Sequence, residues 1–313
     1  MNYTIRHLQA SDLATADHVF RLAFGTFVGL PEPTQFGGDA AYIAHRWQAN
    51  PTGAFAAEIN GALIGSNLAT RWGSFGFFGP LSVHPDRWGE GVAKQLVAVV
   101  VDQFAQWDIR QAGLFTFPSS PKHHALYQKF GFYPQYLTVV MAKPVTSIAP
   151  LPSASRYSQI TDAQRVEAMN TSRELTDSIF AGLDVSTEIS AVQTQTLGDT
   201  VLLWDEAGLA GLAICHYGAG TEAGSGTCYV KFGAVRSGST ARTQFEQLLN
   251  CCEALAAAEG MSRLVAGVNT GRHTAYSQMM ALGFRTEITG VAMQCPNQSG
   301  YNQPDAFVLD DWR

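Results

Sequence analysis

An internal repeat sets the terms for this chain's fold. A constant offset of 152 residues superposes Val83 on Val235, Leu96 on Leu248 and Gly131-Phe132 on Gly283-Phe284, with no insertion across the block. Self-similarity at one long period means that a single folding unit occurs twice. Upstream, Gly65 meets Gly211 at an offset of 146, and the stretch Gly218-Ala219-Gly220-Thr221-Glu222-Ala223-Gly224-Ser225-Gly226 absorbs the difference. No helical pattern follows that stretch, so it reads as a flexible hairpin connection and not as a phosphate cradle. At 313 residues the chain is long enough for two ordinary domains with buried cores.

The first unit alternates strands and helices. Tyr3 to Leu8 is a strand, and Ser11-Asp12 caps a helix to about Phe24 on Leu13, Val19, Leu22 and Ala23. Phe36 to Gln48 reads as a second helix. Ala54 to Glu58 and Ala62 to Thr70 are strands joined by Asn60-Gly61, a strong hairpin signal, and Phe75 to Val83 is another strand. Val92, Leu96, Val99, Val100, Phe104 and Trp107 recur at helical spacing, which predicts a helix over 91–107 with one buried face. Ala112 to Phe117 is a short strand. Pro121 or Lys122 opens a helix through Phe130 that Gly131 stops, and Phe132 to Ala142 closes the unit as one strand or a pair.

The second unit repeats this order. Asp205-Glu206-Ala207-Gly208 joins two strands, Thr227 to Val235 is a strand, Thr240 to Ala258 a helix, Leu264 to Val268 a strand and His273 to Leu282 a helix. The expected organisation is mixed α/β, with a first domain over 1–143, a Pro- and Ser-rich linker over 144–155, a second domain over 156–295 and a tail over 296–313. The tail is expected to pack back as an extended segment, because Phe307, Leu309 and Trp312 would otherwise be exposed.

Charge and cysteine usage narrow the function. A net charge of -6 without a Lys/Arg cluster argues against a nucleic-acid surface. The five cysteines form no Cys-x-x-Cys pair and lack histidines at zinc-ligand spacing, so reduced thiols and no metal are expected. Met1 to Ala10 has neither a basic nor an apolar leader pattern, and no 18-residue apolar span follows, so a soluble cytoplasmic protein without a membrane partner is expected.

The chemistry concentrates at Gly89-Glu90-Gly91-Val92-Ala93-Lys94, a flexible turn at a helix start. Glycines let the main chain approach an anion, and the helix N-terminus adds unpaired N–H groups and partial positive charge. A P-loop would need Gly-x-x-x-x-Gly-Lys-Ser/Thr, which is absent, and a dinucleotide fold would want a third glycine where Lys94 stands.

The surroundings are more specific. Leu81-Ser82-Val83-His84-Pro85-Asp86-Arg87-Trp88-Gly89-Glu90-Gly91-Val92-Ala93, followed by Ala125-Leu126-Tyr127-Gln128-Lys129-Phe130-Gly131-Phe132, resembles the coenzyme A-binding core of the GNAT acetyltransferases. The resemblance covers Met1 to about Lys143 and implies two tandem GNAT-like acyl-CoA N-acyltransferase domains built on mixed sheets. The family pattern Arg/Gln-x-x-Gly-x-Gly/Ala falls on Trp88 to Ala93, so Trp88 departs from the usual Arg or Gln. Two readings stay open for Trp88, packing beneath the loop or facing the cofactor, and Arg87 or Lys94 can supply a cation.

The resemblance implies acetyl-CoA as co-substrate. Its pyrophosphate would rest on the Gly89–Lys94 amides, and its pantetheine arm would lie between the strand ending at Val83 and the strand from Ala112. A main-chain N–H within Leu81, Ser82 and Val83 would polarise the thioester carbonyl. Tyr127 stands where the family often carries the tyrosine that protonates the departing thiolate, a task a phenol can perform. Ser120 replaces the family's asparagine, and Ser119 is an equal candidate to bond the pantetheine.

The general base stays open among Glu58, His84, His123 and His124, as does the role of Phe36, Trp47, Trp72, Phe75, Phe77 and Phe78 as core or acceptor lining. In the second unit Gly91 becomes Thr243, Ala93 becomes Phe245 and Tyr127 becomes Met279. A phenylalanine would obstruct phosphate and methionine cannot act as an acid, so this unit is expected to be degenerate, with Asn269, Arg272 and Tyr276 near its cleft. The expected function is acetyl transfer to a primary amine, most simply of a small molecule, by the first unit. The rivals are a non-enzymatic acyl-CoA-binding or regulatory protein and acyl transfer to a hydroxyl; the oligomeric state, a homo-oligomer included, stays open.

Overall fold

The computed structural model describes residues 3–146 and 153–313. The first copy of the repeat contains β1 (Thr4–His7), α1 (Leu13–Val28), α2 (Ile43–Ala49), β2 (Ala54–Ile59), β3 (Ala62–Trp72), β4 (Phe75–Phe78), β5 (Ser82–Val83), α3 (Val92–Gln106), β6 (Gln111–Thr116), α4 (Pro121–Gln128) and β7 (Tyr133–Pro144). The second contains β8 (Ala154–Arg156), α5 (Asp162–Ile179), α6 (Ser186–Gln195), β9 (Gly198–Asp205), β10 (Gly208–Gly218), β11 (Gly224–Val235), α7 (Ala241–Ala258), β12 (Arg263–Asn269), α8 (His273–Ala281) and β13 (Arg285–Cys295), and the tail adds β14 (Val308–Leu309).

Most elements follow local chemistry. Asn60 and Gly61 both have positive φ, as the tight β2–β3 hairpin requires. The helix expected over Phe36 to Gln48 is shorter than its pattern: Pro33–Gln35 is a 3-10 turn, and only Ile43–Ala49 is α-helical. Gly37 and Gly38, poor helix formers, sit in the irregular stretch between. The strand expected over Phe75 to Val83 is interrupted at Gly79-Pro80, where proline lacks the N–H that would continue a ladder.

The strands form one 14-stranded sheet in the order β1-β2-β3-β4-β6-β13-β7-β12-β11-β10-β9-β8, with β5 added to β3 and β14 to β11. Under the repeat, β6 corresponds to β12, β4 to β11, β3 to β10, β2 to β9 and β1 to β8, so the order reads the same from either edge. The centre ties the copies together. β13 pairs antiparallel with both β6 and β7, and β7 pairs antiparallel with β12. Each copy's last strand is thus passed to the other copy's side. The 144–155 boundary separates the repeats in sequence, yet the sheet runs through both; Lys143 and Pro144 lie in β7, and residues 147–152 fall outside the described residues.

Helices cover both faces. α1 and α2 pack on Leu8, Ile43, Ala56 and Leu68, while α3 and α4 pack on Phe78, Leu96, Val100 and Phe132. The tail is buried as expected, with Phe307, Leu309 and Trp312 all below a tenth exposed.

Where the copies meet, α2 and α6 enclose an ionic cluster. Arg46 donates from Nε to Glu222 Oε1 at 2.8 Å, Lys231 Nζ to the same oxygen at 2.7 Å, and Trp72 Nε1 to Glu188 Oε1 at 3.1 Å. His216 lies beside them, wholly buried. Burial, then the Lys231 charge, lowers its pKa from 6.5 to about 3, against the pull of Glu222 and with His45 and Arg46 adding to the fall. A folded pKa below the unfolded one means that the unfolded chain takes up the proton first as pH drops. The stability held above pH 6.5 is therefore lost progressively down to about pH 3, with a slope near 1.4 kcal/mol per pH unit for one proton. His123, lowered in the same sense, adds to the slope in this window, so urea unfolding between pH 7.5 and 5 should lose the share of one proton in His216→Gln; an unchanged slope in the variant would rule the assignment out.

Candidate active site

The cradle is built from the end of β5 onward. His84 caps a 3-10 turn over Pro85–Arg87, its Nδ1 accepting from the Asp86 N–H at 3.3 Å. The chain then passes Gly89 and Gly91, with φ of 86° and 83°, into the 15-residue helix α3, whose N-cap is Gly91. Among the described residues, the N–H groups of Gly89, Gly91, Val92, Ala93 and Lys94 have no hydrogen-bond partner, and no side chain caps the helix. A Cβ placed on Gly89 would meet nothing within 4 Å, and one on Gly91 only Tyr3 Oη at 3.8 Å. Free amides, a bare loop and the positive end of a helix make an anion site.

Beside it the sheet opens. The parallel pairing of β4 with β6 stops at Phe77↔Gly113. Beyond that, β5 stays with β3, and Leu114, Phe115 and Thr116 pair with β13. The His84 main-chain N–H donates to the Ile64 carbonyl at 2.8 Å, which makes Val83↔Gly65 a non-hydrogen-bonded pair and turns the Val83 N–H and C=O toward the opening. The Ser82 side chain turns inward, with Oγ 3.3 Å from Ser66 Oγ.

Trp88 is 40% exposed and so does not pack beneath the loop. Its indole donates to the Val83 carbonyl at 2.8 Å, and Lys122 Nζ lies 4.8 Å from its ring centroid. Trp88 therefore spans the opening.

Tyr127 is buried on α4, its ring 5.8 Å from Phe78. Burial pushes its phenol well above the usual value, only partly offset by the Thr116 side chain, so it stays protonated. One turn earlier, the His123 ring lies 6.5 Å from it, with Nδ1 lacking a partner among the described residues. Burial, then the Lys122 charge, lowers the His123 pKa from 6.5 to about 4, leaving it neutral. The other base candidates are elsewhere engaged: Glu58 accepts from Arg6 at 2.7 Å, His84 caps its turn, and His124 Nε2 lies 3.3 Å from the Phe117 carbonyl. Ser120 is buried before α4 without bonding it as a cap, and Ser119 is exposed.

Of the aromatic set, Trp72, Phe75, Phe77 and Phe78 are core, Phe36 packs on Phe20 and Phe24, and Trp47 bonds the Leu8 carbonyl. The rings around His123 are instead Phe27 and Phe117, at 4.9 and 6.2 Å. Sequence reasoning passed over Phe27; its one signal was the i,i+3 spacing from Phe24 on α1.

Residues 22–132 match the model of the Acetyltransferase (GNAT) family. The N-terminal half carries a GNAT acetyltransferase domain. No curated protein matches the chain. Among solved structures, a candidate acetyltransferase of Pyrococcus horikoshii is similar over 99% of this chain and 95% of its own, with a TM-score of 0.68 and 13% identity. A GCN5-related N-acetyltransferase of Sphaerobacter thermophilus is similar over 93% and 95%, at 0.60 and 14%. A tandem GNAT protein from the clavulanic acid biosynthesis pathway is similar over 94% and 98%, at 0.56 and 14%. At these identities the likeness is one of fold, and it extends over both halves. The GNAT family uses acetyl-CoA as co-substrate for acetyl transfer.

The second half repeats this strand geometry, and the protein's own tail lies in the equivalent opening. The Arg236 main-chain N–H donates to the Ala210 carbonyl at 2.8 Å, as that of His84 does to Ile64, so Val235 turns its N–H outward as Val83 does. That N–H donates to the Phe307 carbonyl at 3.2 Å, and β14 pairs with β11 through Ala234↔Val308 and Gly233↔Leu309. The pairing of β11 with β12 stops at Val230↔Ala266, and the tail follows in the opening beyond. Phe245 points not into the loop but inward, its ring 5.2 Å from Phe307, and Met279 is core. Arg272 holds the tail by donating to Asn302 Oδ1, the Val308 carbonyl and Asp310 Oδ1 at 2.8, 2.6 and 2.5 Å.

Proposed function

We propose that the chain transfers an acetyl group from acetyl-CoA to the primary amine of a small molecule, through the N-terminal half alone. The observation that carries this reading is the contrast between two equivalent amides. Val83 N–H faces an opening beside five free loop amides, whereas Val235 N–H is bonded to Phe307 of the protein's own tail.

In this reading the amides of Gly89, Gly91, Val92, Ala93 and Lys94 hold the pyrophosphate, with Glu90 as a turn residue between them. The strand edge at Leu81, Ser82 and Val83 aligns the pantetheine arm, Ser119 or Ser120 bonds it from the other side, and the outward Val83 N–H polarises the thioester carbonyl. Trp88 swings away to release the Val83 carbonyl. The amine nitrogen bonds the acyl carbon directly, the C–S bond breaks, and Tyr127 gives its proton to the departing thiolate. His123, held neutral, is the candidate base that fits this side of the cleft, since it shares a helix face with Tyr127.

Coenzyme A release across an amine panel tests the reading. Tyr127→Phe should lower kcat about 100-fold, the low end for a general acid, while leaving acetyl-CoA affinity unchanged. Tight binding without release on any amine, indifferent to Tyr127→Phe, would favour an acyl-CoA-binding protein; release only with alcohols would favour O-acylation.

A further inference from the structure

A cavity of about 430 Å³ lies between α2 of one half and α6 of the other, apart from the acetyl-CoA cleft. Lys231 reaches it from a β-bulge: Ile214 pairs with Phe232 and Cys215 with Val230, so Lys231 is the extra residue, and a bulge re-aims its side chain. His216, 1% exposed, also lines the cavity, and neither of its ring nitrogens has a hydrogen-bond partner among the described residues. A buried imidazole with both nitrogens unspent is unusual, since buried polar groups are almost always paired.

The acids of the cavity wall are already engaged. Glu222 accepts from Arg46 and Lys231, and Glu188 from Trp72, with Lys231 3.6 Å from its second oxygen. Asp184 accepts from the Ser186 N–H at 2.8 Å and lies 3.4 Å from Arg173. The donors are not exhausted. Among the described residues Arg71 bonds only the Gly73 carbonyl, through Nε, leaving its terminal nitrogens without a partner at the rim, and Lys231 keeps at least one N–H beyond its bond to Glu222. The hydrogen-bonding capacity left over is donor-rich, while Arg46, Arg71 and Lys231 balance Asp184, Glu188 and Glu222 in charge, and the volume suits a small metabolite.

We propose that this cavity binds a small carboxylate, with His216 and Lys231 as its inner contacts and Arg71 at its mouth. The carboxylate accepts from Lys231 and Arg71, and His216 donates its ring N–H to a second carboxylate or a hydroxyl oxygen of the same molecule. The site is independent of acetyl transfer and would stand if that reading failed.

Calorimetry and thermal unfolding of the full chain with succinate and malate test it, with dimethyl succinate as a neutral probe of the same skeleton. Saturable binding and stabilisation by the acids but not the diester is the expected result. Arg71→Gln, at an exposed position, should weaken binding at least tenfold without moving the ligand-free melting temperature, and His216→Phe, which fills the cavity, should abolish it. No saturable response to either acid, an equal response to the diester, or affinity untouched by Arg71→Gln would overturn the proposal.

Discussion

Replacing Gly91 by phenylalanine is expected to abolish acetyl-CoA binding, with an affinity loss of at least about 1000-fold, or roughly 4 kcal/mol. Gly91 is the N-cap of α3 at φ 83°, and its own N–H is one of the five free amides. A side chain there projects where the main chain has to approach the anion, and the left-handed backbone becomes strained by about 1–2 kcal/mol. The fold itself should survive, because the nearest atom to an added Cβ is Tyr3 Oη at 3.8 Å. Calorimetry with acetyl-CoA, backed by a melting curve, reads the result. A folded variant that binds as tightly as the parent would show that the pyrophosphate is held elsewhere.

The largest effect on stability should come from Arg272→Ala. Arg272 and Asp310 are both essentially inaccessible, and the guanidinium also serves Asn302 and the Val308 carbonyl. Removing it leaves a carboxyl that burial already pushes upward, together with two orphaned acceptors. A loss of about 3–5 kcal/mol in urea unfolding is expected. Asp310→Ala in the same chain should recover part of it, because the uncompensated charge goes with it. A loss below about 1 kcal/mol would mean that the tail is not held by this clamp.

Much of this was legible from residues alone. The helix over 91–107 and the Asn60-Gly61 hairpin appear within a residue or two of their expected bounds, because each is governed by local periodicity or turn chemistry. The helix expected over Phe36 to Gln48 is α-helical only over Ile43–Ala49, because Gly37 and Gly38 disfavour a helix at its start. His84, one of four base candidates, is spent as a turn cap, and the aromatic set needed tertiary packing to be sorted, since core and cleft residues share one composition.

The amino-acid sequence by itself determined that the unit occurs twice and that only one copy keeps the glycine turn and the tyrosine, because spacing and side-chain identity are local properties. It also determined that Phe307, Leu309 and Trp312 had to be buried somewhere. Only the tertiary structure decided where. The tail lies against the outward edge of β11, and the closing strands β7 and β13 cross to the opposite halves, because ladder pairing depends on which strand edges stay open once the sheet forms. The same holds for the cavity between α2 and α6, whose His216, Lys231 and Arg71 are brought together by the packing of one half on the other.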